Sequence, residues 1–118
     1  MITLICGLPR SGKTTYSKIY EDTCKVFHFD YYGSYIYGSI KRYKEKNPDK
    51  DIVVEGVYNM AMFRRTLIAP YKDEKTVCIW LDTPKEIKQN RPGYSKHCEY
   101  EFEPPTYDEG WDEIIVIR

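Results

Sequence analysis

The chain has 118 residues, and 18 Lys plus Arg balance 18 Asp plus Glu, so its formal net charge is zero. That length suits one domain spanning residues 1–118, near the lower limit for a five-stranded α/β sheet, with no room for a second. Neutrality excludes a global polycationic grip on nucleic acid, so any polyanion must be held locally.

The apolar run Ile2 to Cys6 reads as a strand and leads into Gly7 to Thr14, GLPRSGKT, which matches G-x-x-x-x-G-K-[ST]. This spacing suits polyphosphate. Glycines let backbone N–H groups converge on phosphate oxygens, a following helix adds its dipole, and Lys13 and Thr14 reach phosphate and Mg²⁺. Phosphate contacts are expected from Gly7, Pro9, Arg10, Ser11, Gly12, Lys13, Thr14 and Thr15. A helix is expected from Lys13 to about Asp22, with Tyr16, Ile19 and Tyr20 as its apolar stripe.

A second strand is expected over Lys25 to Phe29, which leaves Asp30 at its carboxyl end. His28, on the same face as Asp30, reads as a partly exposed structural histidine. Twelve tyrosines are many for this length, and five of them, Tyr31, Tyr32, Tyr35, Tyr37 and Tyr43, fall in one segment. They suit a tyrosine-rich core edge or, alternatively, rings on which bases stack. A helix over about Ser34 to Lys46 ends before Asn47-Pro48. The third strand, Asp51 to Glu55, places Glu55 and Gly56 at its end, where a Walker-B-type carboxylate would hold Mg²⁺ or orient a water. Met60 to Ala69 reads as a helix with Met60, Phe63, Leu67 and Ile68 inward, while Arg64 and Arg65 read as solvated.

Thr76 to Leu81 and Glu113 to Ile117 complete the strands. After the fourth, Thr83 is expected to cap a short helix with Pro84 at its first position and Ile87 facing inward. Lys85, Lys88 and Arg91 form the basic edge of a lid region at about 84–112, most of which is a long loop, Arg91 to Asp112, with Pro92, Gly93, Pro104, Pro105 and Gly110. Strands alternating with helices imply a parallel sheet covered on both faces, with the ligand beyond the strands' carboxyl ends.

The cysteines, Cys6, Cys24, Cys78 and Cys98, make no C-x-x-C pair, and Cys6 and Cys78 lie in apolar runs. Together with an apolar start too short for a signal or a membrane span, they point to a reduced, cytoplasmic protein without membrane association. N-K-x-D is absent, although Asp30 to Gly33 fits the weak D-x-x-G pattern, so a GTPase is disfavoured. A small phosphotransferase remains. In it Asp30 accepts the proton of an attacking hydroxyl, and Arg91, ahead of Lys88, stabilises the transferring phosphoryl alongside Lys13. Arg10 either projects near the phosphates or faces solvent.

The chain resembles the small P-loop kinases of the polynucleotide 5′-hydroxyl kinase type and their zeta-toxin-like relatives. The resemblance rests on GLPRSGKT, FHFDYY, VVEGVYNMAMFRR, LDTPKEIKQNR and FEPPTYDEGWDEIIVI, and so runs nearly end to end. It is most specific in Phe102, Glu103, Pro105, Thr106, Glu109, Gly110, Trp111 and Ile114. The resemblance implies a P-loop NTPase three-layer sandwich with a five-stranded parallel sheet of order 2-3-1-4-5. It implies that Lys13 and Thr14 handle the phosphates of ATP, with GTP possible, and Mg²⁺, that Thr14 and Glu55 hold the metal, and that Asp30 deprotonates the acceptor. Two positions depart from it. Gly33 stands where phage-type relatives have an arginine that holds the acceptor's phosphate, and Gln89 and Asn90 precede a lone lid arginine, Arg91. The expected acceptor is a polynucleotide 5′-OH. The alternatives are a nucleoside, nucleotide or other small molecule, or a nucleotide-binding module without transfer.

Overall fold

A computed structural model describes the protein over residues 1–118. Three segments, β1 (Ile2–Cys6), β3 (Ile52–Gly56) and β4 (Thr76–Leu81), are buried almost throughout and take the middle of one sheet. The more exposed β2 (Lys25–His28) and β5 (Glu113–Ile117) form its edges. The order is β2-β3-β1-β4-β5, and every pair is parallel. Continuous apolar runs are what a parallel sheet covered on both faces requires.

The two faces separate by strand alternation. Ile2, Leu4, Cys6, Ile52 and Val54 join Phe27, Ile36, Ile40, Leu67, Ile68 and Trp111 in the larger cluster. Ile5, Val53, Val77, Ile79 and Leu81 form the smaller one, against which Tyr16 and Tyr20 pack. Helices α3 (Ile36–Lys46) and α4 (Ala61–Ile68) therefore cover one face, and α1 (Lys13–Ser17) covers the other. The result is a three-layer α/β arrangement. Two single-turn helices, α2 (Phe29–Tyr32) and α5 (Lys85–Lys88), follow β2 and β4. No helix is long and apolar enough to cross a membrane.

Several boundaries differ from the sequence expectation. β2 stops at His28, so Asp30 lies in the first turn of α2 rather than at a strand end. α1 ends at Ser17, whose hydroxyl donates to the Thr14 carbonyl at 2.8 Å, and the chain tightens into a 3₁₀ turn over Lys18–Tyr20. That tightening rotates Ile19 off the stripe, leaving it 66% exposed. On α4, Leu67 and Ile68 face inward as expected, but Met60 and Phe63 are exposed and Arg64 is fully buried. A stripe at i, i+3 and i+4 thus begins at Arg64, because a buried carboxylate awaits that side chain. α3 begins at Ile36, after a 3₁₀ turn over Gly33–Tyr35.

The segment after β4 also departs from expectation. Pro84, not Thr83, caps α5, and Lys88 is buried in place of Ile87, which is half exposed. Only part of the 84–112 region borders the cleft described below, whereas Glu109 and Trp111 are buried. Thr106 and Glu109 form a reciprocal capping box on the 3₁₀ turn Tyr107–Glu109. Phe102 stacks flat on Trp80, with centroids 5.1 Å apart. The FEPPTYDEGW segment is thus packed into the body of the fold.

Candidate active site

In a fully parallel sheet the carboxyl ends of all strands meet at one edge, and the loops leaving them converge there. β1 delivers Gly7 to this edge with φ +155°, at a point where an added Cβ would lie 2.7 Å from both the Leu81 carbonyl oxygen and Ser11 Oγ. Only glycine fits. The Gly7 N–H donates to the Val57 carbonyl just beyond β3, which ties the start of the loop to the next strand. Thr83 Oγ1 donates to the Ser11 carbonyl at 2.7 Å, fastening the same loop to the end of β4. Thr83 was expected to cap a helix; its observed partner lies 72 residues away and no local pattern announces it.

The convergence leaves a cleft of about 800 Å³. Of the residues singled out by sequence, Pro9, Arg10, Ser11, Gly12, Lys13, Thr14, Thr15, Asp30, Glu55 and Arg91 all line it, and Gly7 underlies it as backbone. Val57, Leu81, Thr83, Pro92, Ile117 and Arg118 line it as well. These were not singled out for the site, because they arrive through strand order and carry no motif.

Lys13 is almost fully buried, and its Nζ donates to the Leu8 carbonyl at 3.0 Å. Burial lowers its pKa, and the charges of Glu55 and then Asp30 oppose that shift. The lysine therefore sits between the backbone of the Gly7–Thr14 loop and two carboxylates. Glu55 is buried at the end of β3, and its Oε2 pairs with His28 Nδ1 at 2.9 Å. His28 is thus a positioning partner for Glu55. The parallel register that sets His28 opposite Glu55 explains the pair.

Ser11 Oγ is buried without a hydrogen-bond partner in the chain. A buried hydroxyl left unpaired is costly, and a phosphate oxygen would satisfy it. The oxygen donors of Thr14 and Glu55, in the same cleft, have the hard chemistry that Mg²⁺ takes.

The basic edge divides. Arg91 borders the cleft, and its Nη1 donates to the Arg10 carbonyl at 2.5 Å. Lys88 points away into an ion pair with Glu99, 2.9 Å to one oxygen and 3.0 Å to the other, while Tyr94 donates to the same carboxylate. Glu99 is held below the usual carboxylate range chiefly by the Lys88 hydrogen bond. Lys88 is therefore committed to structure. Arg64, expected to be solvated, is fully buried against Glu109. Of the tyrosines, Tyr32, Tyr37 and Tyr43 pack against the larger cluster, whereas Tyr31, in the same turn as Asp30, and Tyr35, in the next, are 84% and 80% exposed.

No protein-family model matches the chain, and no curated protein sequence is significantly similar to it.

Proposed function

We propose that the protein is a P-loop kinase: it binds a nucleoside triphosphate, ATP or GTP, and passes the γ-phosphate to a hydroxyl, most specifically a polynucleotide 5′-OH. The observation that carries this reading is the convergence of GLPRSGKT, Asp30, Glu55 and Arg91 on one cleft at the carboxyl edge of a parallel sheet. A kinase places a general base, commonly a carboxylate, within reach of the hydroxyl it activates, and Asp30 is the candidate for that role.

In this mechanism the backbone N–H groups of Arg10 and of Gly12 to Thr14 and the Lys13 ammonium hold the phosphates, and Ser11 Oγ gains its missing partner. Mg²⁺, when bound through Thr14 and Glu55, neutralises phosphate charge and fixes its geometry. Asp30 accepts the proton of the acceptor hydroxyl as its oxygen bonds to the γ-phosphorus. The bond from that phosphorus to the β,γ-bridging oxygen breaks, and the nucleoside diphosphate departs. Arg91 stabilises the charge on the transferring group from the lid side.

Tyr31, next to Asp30 in the chain, and Tyr35, one turn further on, have exposed rings, which favour an acceptor that carries a base. Gly33 supplies no cation there, and open space surrounds the position of its absent Cβ. This favours, as a second reading, an acceptor with no phosphate beside its hydroxyl, such as a nucleoside or another small molecule.

The test is an acceptor screen with γ-labelled ATP and Mg²⁺. Label on a 5′-OH oligonucleotide, lost in Asp30→Asn while ATP still binds, is the expected result. Label confined to nucleosides or small molecules would move the acceptor to the second reading. ATP binding without transfer to any acceptor, and no effect of Asp30→Asn, would make the protein a nucleotide-binding module.

A further inference from the structure

The glycine-rich loop carries one residue that its backbone disfavours. Arg10 has φ +68°, a left-handed conformation that costs free energy in any residue with a side chain. Glycine would take this geometry freely, and strain held at a ligand loop points to a role for the side chain that imposes it.

The Arg10 guanidinium reaches across to the lid. At Gly93, with φ +81°, an added Cβ would lie 2.5 Å from Arg10 Nη2, 2.9 Å from Cζ and 3.1 Å from Nε. The lid is therefore bare of side chain where this guanidinium rests. Arg91 makes the opposite crossing: its Nη1 bonds the Arg10 carbonyl and lies 3.3 Å from the Cβ position of Gly12. Loop and lid thus exchange arginines. Neither guanidinium lies within ion-pair distance of any carboxylate, although other basic side chains, among them Lys44, Arg64, Lys88 and Arg118, have one. Two guanidiniums brought to one cleft, neither paired with a carboxylate, repel each other and suit an anion that takes both.

We infer that Arg10 and Arg91 form a two-sided clamp on the terminal phosphate of a nucleoside triphosphate, Arg10 supplying from the loop the second guanidinium that the lid lacks. The inference rests on the triphosphate-binding reading above. A terminal phosphate offers more free oxygens and charge than a bridging one, and a planar guanidinium fork matches it better than an ammonium does. The clamp therefore separates triphosphate from diphosphate.

Calorimetric titration of the full chain with MgATP and MgADP at fixed ionic strength tests this, on the parent, Arg10→Gly, Arg10→Lys and Lys13→Ala. The parent is expected to bind both nucleotides and Lys13→Ala to bind both poorly, which tests the loop itself. Arg10→Gly, whose backbone is relaxed by the change, is expected to keep its thermal midpoint. It should lose about ten- to hundredfold in ATP affinity while ADP affinity stays within about threefold. Arg10→Lys should recover part of the ATP preference. If Arg10→Gly binds ATP as tightly as the parent, or loses ATP and ADP equally, the clamp is overturned and the P-loop reading stands. If the parent binds neither nucleotide, both are overturned.

Discussion

Arg64 and Glu109, 45 residues apart, meet as a two-pronged ion pair in which neither side chain is exposed: Nε reaches Oε1 at 2.7 Å and Nη2 reaches Oε2 at 2.9 Å. Further hydrogen bonds hold both groups. Arg64 Nη1 donates to the Tyr58 carbonyl, while the Trp111 indole and the Thr106 N–H donate to the Glu109 carboxylate. The pair pins the segment before β5 to α4 and so helps fix where β5 adds to the sheet.

Removing one member of such a pair leaves an uncompensated buried charge. Arg64→Met or Glu109→Gln is expected to destabilise the protein by about 3–5 kcal/mol, read from urea unfolding at constant m. The double replacement Arg64→Met with Glu109→Leu should cost less than the sum of the single changes. Additive losses would show that the two residues act independently.

The same pair sets a pH dependence. Burial pushes the Glu109 carboxyl up, but hydrogen bonds from Arg64, Trp111 and Thr106 outweigh it and hold the group below its ordinary value of 4.5. A depressed folded-state pKa contributes stability that is present above the unfolded value and lost as pH falls through the folded one. Stability should therefore decline below about pH 4.5, and Glu109→Gln should flatten that decline. An unchanged acid limb in the variant would assign the loss to other carboxylates, among them Glu74, which Lys44 holds low against an upward push from burial.

Lys13 carries the opposite sign. Its pKa is lowered by burial, so the charged form is less favourable in the folded chain than in the unfolded one. Lys13→Met is therefore expected to raise the thermal midpoint of the nucleotide-free protein while removing ATP binding. A lower midpoint would mean that the hydrogen bond to the Leu8 carbonyl outweighs the burial of charge.

His28 holds Glu55 without lining the cleft itself. His28→Ala should raise the Mg²⁺ concentration that gives half-maximal transfer by about tenfold or more, the usual scale for a partner behind a ligating carboxylate. His28→Gln, which keeps a donor, should recover part of that loss. A Mg²⁺ curve unchanged in His28→Ala would reduce the pair to a stability contact.

Tyr31 and Tyr35 test the acceptor. Tyr31→Ala is expected to raise KM for an oligonucleotide acceptor by about five- to hundredfold, the range of one lost base stack, with KM for ATP unchanged. Equal shifts in both constants would show that the turn around Asp30 has moved instead.

Much of this architecture was legible in the sequence because its signals are local. Short runs rich in Val and Ile mark the strands, with β4 and β5 falling on the expected residues and β2 and β3 within one of them. The spacing of GLPRSGKT carried the phosphate-binding expectation, and the alternation of strand and helix pointed to a parallel sheet; its order, 2-3-1-4-5, which the fold shares, came from the family resemblance. Side-chain partnership was not legible. Whether a side chain is solvated or buried depends on what another segment presents to it: Arg64 and Thr83 found partners through the order of the strands, and Lys88 through the fold of the β4–β5 connection. The sequence by itself determined most of the elements and the GLPRSGKT spacing from which phosphate binding is expected, since both are written in neighbouring residues. Only the tertiary structure decided that Glu109 belongs to the core and that Arg10 and Arg91 cross between loop and lid, because those contacts exist only once parallel pairing brings the strand ends to one edge.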